Sequence, residues 1–147
     1  MPFLADAPLH VVVAFAAGVA LWFVGWGCDA ATTWAGIRDS DIAGEANPFA
    51  RRVFARLGRG PGFAALGLLE ASIIGTCVLE GLGAAAAHDG ASSATLFLGL
   101  FAVYASAGGH LIAARGNQVG HRAFVVQPIL RLYRWIDQAL HRMGSAG

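Results

Sequence analysis

Three apolar runs, about residues 11–36, 62–87 and 91–114, constrain this chain more than any other feature. Each can cross a bilayer, because a helix needs about 20 apolar residues to span a hydrocarbon core of roughly 30 Å. No water is available there to bond the backbone amides, so a spanning segment must satisfy its own hydrogen bonds, and a helix does this within one segment. The expected fold class is therefore all-α: an integral membrane three-helix bundle forming a single domain over residues 1–147. Composition agrees. Only 13% of the residues are charged, where about 25% is usual for a soluble domain. Mean hydropathy is +0.59.

The polar segments define what joins the spans. Residues 38–60 hold Arg38, Arg51, Arg52, Arg56 and Arg59. Within them Asn47-Pro48 reads as a helix start: an Asn side chain accepts from free N–H groups of the first turn, and Pro is tolerated at the first helical position. Phe49, Val53, Phe54 and Leu57 then fall on one face and arginines on the other. The spacing predicts a short helix over about 48–58, either lying in the membrane interface or solvated as part of a loop. His88-Asp89-Gly90 reads as a tight turn. After Pro128, Ile129, Leu132, Tyr133, Ile136, Leu140 and Met143 recur at helical spacing opposite Arg131, Arg134, Gln138 and Arg142. This predicts an amphipathic C-terminal helix over about 128–143, resting on the membrane or on a partner.

All ten basic side chains are arginines, and all lie in the 38–60 segment or after span 3. The positive-inside rule then places the chain in the cell membrane as a multi-pass protein, with its N-terminus outside and its C-terminus cytoplasmic. The stretch Met1 to Leu9 has no basic residue ahead of its apolar run, unlike a secretory signal peptide, and is expected to be retained. Cys28 and Cys77 both fall within spans and are read as free thiols.

An ionisable group inside an apolar run is costly and therefore a candidate for function. Asp29, Glu70 and His110 occupy one span each. Counted at 1.5 Å per residue they lie roughly 12, 12 and 8 Å from the same cytoplasmic interface. They also lie on stripes of small residues: Gly18, Trp22, Gly25, Asp29, Thr32 and Gly36 in span 1; Gly67, Glu70, Ile74, Cys77 and Gly81 in span 2; Gly99, Val103, Ser106, His110, Ala113 and Asn117 in span 3. Small residues let membrane helices approach closely, so these faces are expected to meet. The expectation is an intramembrane cluster of Asp29, Thr32, Thr33, Glu70 and His110.

Three roles are open to that cluster: Asp29, Glu70 and His110 as ligands of a divalent metal, the same groups as a proton relay, or a hydrogen-bonded structural knot. Their spacing matches no metal motif such as H-E-x-x-H. Glu45 can fold back as a further ligand or satisfy free amides at the helix that starts near Pro48. Asn47 and Asn117 are expected in loop or helix-cap positions. Glu80 lies off the small-residue stripe, nearer the outer face, and is expected to pair locally or to be protonated in a low-dielectric setting. His10 and His88 both fall near the outer interface, which admits a bis-His haem on paper, but interfacial histidines are commonly amphipathic tips, and haem is disfavoured. No Ser-His-Asp or Cys-His arrangement supports an enzyme, and the basic residues track topology rather than nucleic acid.

Three helices offer little room to enclose a pathway. The leading expectation is a protein that acts in the lipid bilayer through interaction, as a homo-oligomer or as an accessory subunit alongside other membrane subunits. The alternative is a metal-binding or proton- or small-solute-conducting protein that uses the Asp/Glu/His cluster.

Asp29 with Thr32-Thr33, followed by Glu45-Ala46-Asn47-Pro48, resembles the D-x-x-[ST]-T … E-x-N-P pattern of a family of small uncharacterised prokaryotic integral membrane proteins. The match covers about 20 residues of span 1 and its loop, and Asn117 is similar to a late Asn of that family. Where the pattern has a basic residue in span 2, this chain has Glu70. The resemblance implies a multi-span membrane protein and carries no activity with it.

Overall fold

The computed structural model describes residues 6–37, 42, 45, 47–87 and 90–119, and the single positions 131, 132, 134, 135, 138 and 142. The described residues form four helices and no strand: α1 (Leu9–Gly36), α2 (Pro48–Leu57), α3 (Arg59–Ala87) and α4 (Gly90–Val119). Within these, Leu9–Gly36, Arg59–Ala87 and Ser92–Val119 are long and apolar enough to cross a membrane.

The three long helices outrun the expected spans. α1 starts two residues earlier than expected, because the carbonyl of Pro8 accepts from the amides of Val11 and Val12. α3 starts at Arg59 rather than 62; Pro61 lies in its first turn, where a missing N–H leaves no hydrogen bond unmade. α4 continues past Ala114 to Val119: the Asn117 side chain finds partners on α1, and Arg115 reaches Gln118 one turn on, at 3.5 Å, so the polar ends are met without interrupting the backbone ladder. Gly90, expected in the turn, is the first residue of α4, and His88 and Asp89 lie outside the described residues.

The short helix appears as α2, ending one residue before the expected boundary. Asn47 caps its start by accepting from Phe49 N at 3.0 Å and Ala50 N at 3.4 Å. Gly58 ends it, with φ +80, a left-handed conformation that favours glycine, and its N–H bonds to Phe54 O at 2.9 Å. Of the C-terminal helix expected over 128–143, the described positions Arg131, Leu132, Arg134, Trp135, Gln138 and Arg142 are helical; the rest of that segment lies outside the described residues.

The chain forms two compact units. The first comprises Met1–Gly27 and Leu68–Leu111. Its core is built from Val11, Phe15 and Trp22 of α1, Ile74, Leu82 and Ala85 of α3, and Val103 and Ala107 of α4. Close approach depends on glycine. A Cβ on Gly25 would lie 2.7 Å from the carbonyl oxygen of Ala107, and one on Gly99 would lie 2.8 Å from that of Cys77. The small-residue stripes therefore mark helix contacts within this unit. The hydroxyl of Tyr104 adds a bond to Ala14 O at 2.9 Å.

The second unit comprises Cys28–Gly67 and Ile112–Gly147. Here Ile37, Ala50 and Phe54 are buried, with Ile42, Phe63 and Leu66 packed against them. The Phe54 and Phe63 ring centroids are 4.7 Å apart. Part of the apolar side of α2 is thus covered by its own chain, which accounts for an amphipathic helix stable at only 10 residues, a length marginal in isolation.

Candidate functional site: polar networks on apolar helices

In the first unit the Glu70 carboxylate of α3 gathers donors from two other helices. Trp22 Nε1 of α1 donates to Oε1 at 3.1 Å, Ser106 Oγ of α4 at 2.6 Å, and His110 Nε2 of α4 at 2.8 Å, with 3.0 Å to Oε2. The spacing explains this convergence. Ser106 and His110 are four residues apart on one face of α4, and Gly25 brings α1 against that face, with His110 Cβ 3.3 Å from the position its own Cβ would take. An ionised carboxylate only accepts, so an imidazole N–H, an indole N–H and a hydroxyl suit it. The contact pair is partly enclosed, with 28% of the Glu70 and 20% of the His110 side chain exposed.

In the second unit, Asp29, Thr32 and Thr33 of α1 meet Asn117 of α4. Asn117 Nδ2 lies 3.2 Å from Asp29 Oδ1, 3.2 Å from Thr32 Oγ1 and 3.0 Å from Thr33 Oγ1. Thr32 also donates to the carbonyls of Cys28 and Asp29 at 2.9 and 3.0 Å, and Thr33 donates to Asp29 Oδ1 at 3.4 Å. The D-x-x-T-T spacing thus puts one carboxylate and two hydroxyls within reach of a single amide. Asn117 was expected in a loop or cap position. It lies within α4, because the helix runs on to Val119.

Glu45 Oε1 accepts from the Asn47 amide at 2.7 Å, beside the cap of α2. Arg59, at the start of α3, closes the C-terminal end of α1. Its Nη1 donates to the carbonyls of Ile37 and of Trp34, the latter at 3.4 Å, and its guanidinium carbon sits 3.8 Å from the Trp34 ring centroid. A cation at a helix C-terminus is favourable, because free carbonyls and the helix dipole both present negative charge there.

The structure therefore brings Glu70 and His110 together in one unit, and Asp29, Thr32, Thr33 and Asn117 together in the other. Among the described residues, no group of three or more His, Cys, Asp or Glu side chains is arranged to hold a metal ion. Both cysteines are free. His10 is exposed in the first turn of α1, and its companion in the haem reading, His88, lies outside the described residues.

Sequence reasoning missed three participants. In the sequence Trp22 and Ser106 stand out only as members of the small-residue stripes, although Ser106 lies one helical turn before His110. Arg59 was counted only toward topology, although an arginine near the end of an apolar helix is a natural cap.

Comparison with protein families, with curated proteins and with solved structures returned no match.

Proposed function

We propose that this chain is a three-span membrane protein that acts through interaction, as a homo-oligomer or as an accessory subunit of a membrane complex. The reading rests on how Glu70 is used: its carboxylate accepts from Trp22, Ser106 and His110 of the same chain. That is the behaviour of a group that fixes helices against one another. Polar side chains that hydrogen-bond between helices are a recurrent means of holding membrane bundles together. Large side chains such as Leu68, Phe97, Leu98 and Phe101 remain exposed, an outer surface suited to lipid or to neighbouring subunits.

In this reading the arginine-bearing segments face the cytoplasm and α2 lies at the inner interface, with Arg51 and Arg56 exposed toward anionic headgroups. The C-terminal helix rests on the same surface or on a partner. Chemical cross-linking in native membranes, followed by mass measurement of the purified complex in a lipid disc, tests the interaction. Recovery of a species larger than one chain supports it, and a monomer without neighbours counts against it.

A second reading has one specific observation in its favour. The Glu70 and His110 side chains are in direct contact and still partly exposed, the arrangement a proton-transfer pair or part of a metal site would use. Elemental analysis of purified protein, and proton flux across vesicles containing Glu70→Gln, separate this from the first reading.

A further inference from the structure

α3 carries polar groups on two opposite faces. Glu70 belongs to the face that includes buried Ile74, where a Cβ on Gly81 would meet the Phe15 ring. Ser72, Thr76 and Glu80 recur at four-residue intervals on the other face, and all three are exposed, flanked by exposed Leu69, Ile73 and Leu79. Gly83 extends the same line, with open space where its Cβ would be. Ser72 and Thr76 turn their hydroxyls back to the carbonyls of Leu68 and Ser72, at 2.8 and 2.9 Å. Glu80 makes no hydrogen bond or ion pair with any described residue.

We propose that this face of α3 docks a transmembrane helix of another protein that carries a lysine or arginine level with Glu80. The proposal rests on the membrane-spanning, interacting protein described above. Glu80 lies about 10 Å of helix rise below Ala87, inside the apolar layer, where a carboxylate needs a partner. A second copy of this chain in the same orientation brings no lysine or arginine to that level. Every arginine lies in 38–60 or 115–142, and Arg59 stands at the opposite end of α3. A basic side chain on a foreign helix meets the charge and supplies the donors. The small Ser72, Thr76 and Gly83 leave room for that helix to approach, as close packing of membrane helices requires.

The test uses the full chain in phosphatidylcholine vesicles with fluorescent single-span peptides of leucine and alanine. One peptide carries a lysine at the depth of Glu80, one carries leucine there, and one carries the lysine near the opposite leaflet. Energy transfer should show the depth-matched lysine peptide associating about fivefold or more tightly than the other two. Glu80→Leu should erase that preference with an unchanged unfolding midpoint, since Glu80 bonds to none of the described residues. Equal association of all three peptides overturns the proposal, as does a lysine preference that survives Glu80→Leu. Self-association that needs Glu80 while the lysine peptide is ignored also overturns it, because the occupant is then a second copy. If cross-linked neighbours persist in Glu80→Leu and the lysine peptide is ignored, this docking face is wrong and the interaction reading survives.

Discussion

The indole N–H of Trp22 donates to the Glu70 carboxylate at 3.1 Å, joining α1 to α3 across 48 positions of sequence. Ser106 and His110 bond to the same carboxylate from α4, so one side chain connects three helix segments. An interhelical hydrogen bond in a membrane protein is worth on average about 0.6 kcal/mol and at most about 1.7. Three together contribute roughly 2–5 kcal/mol on that scale, a large part of the stability of a small bundle.

The first prediction grades substitutions at Glu70. Glu70→Gln should cost little, because the amide oxygen still accepts from Trp22 and Ser106 while the amide nitrogen can donate to the alternative tautomer of His110. Glu70→Leu should cost roughly 2–5 kcal/mol, since all three donors lose their acceptor. Reversible unfolding in lipid bicelles measures both, and equal stability of the two variants would remove the network from the account.

Gly25 supplies the second. A methyl group there would lie 2.7 Å from the Ala107 carbonyl oxygen, a backbone atom that cannot swing aside. Gly25→Ala should destabilise the first unit by about 1–3 kcal/mol, the usual range for overpacking. Gly27→Ala is the control, because nothing lies within 4 Å of that position. Thermal unfolding should drop for the first and hold or rise slightly for the second.

Arg59 provides the third. Arg59→Lys keeps the charge but loses the planar group that stacks on Trp34 and holds Nη1 between the carbonyls of Trp34 and Ile37. The loss should be about 0.5–1 kcal/mol, accompanied by a change in Trp34 emission. Emission unchanged from the wild type would show that the stacking does not persist in the bilayer.

Topology gives the fourth. In a background lacking Cys28 and Cys77, cysteines at Ala5 and Asp89 should react with an impermeant thiol reagent applied to intact cells, and one at Gly144 should not. Outside labelling at Gly144 would invert or discard the three-span arrangement.

The helices were legible because apolar length and small-residue spacing are local properties of sequence. Their ends were less so: the extension of α4 through Asn117 depends on partners in α1, which a span boundary drawn by hydropathy does not register. Of the candidate site, the ionisable members Asp29, Glu70 and His110 stood out in the sequence, while Trp22, Ser106 and the pairings did not. Glu70 and His110 share a depth and meet, yet depth could not foresee that Trp22 and Ser106 complete the carboxylate's set of donors. Residue counting assigns Asp29 the same depth, and its hydrogen bonds to Thr33 and Asn117 follow from rotation about the helix axis, where about 100° per residue separates neighbours that hydropathy treats alike.

The central claim is that Glu70 and His110 hold helices together, and a double-mutant cycle on that pair tests it most directly. Wild type, Glu70→Leu, His110→Leu and the double variant would be unfolded reversibly in bicelles containing a metal chelator. The account predicts that the two single losses exceed the double loss, with a coupling energy of roughly 0.5–2 kcal/mol. Losses that add to within about 0.3 kcal/mol would contradict it, because side chains acting on each other at 2.8 Å cannot be energetically independent.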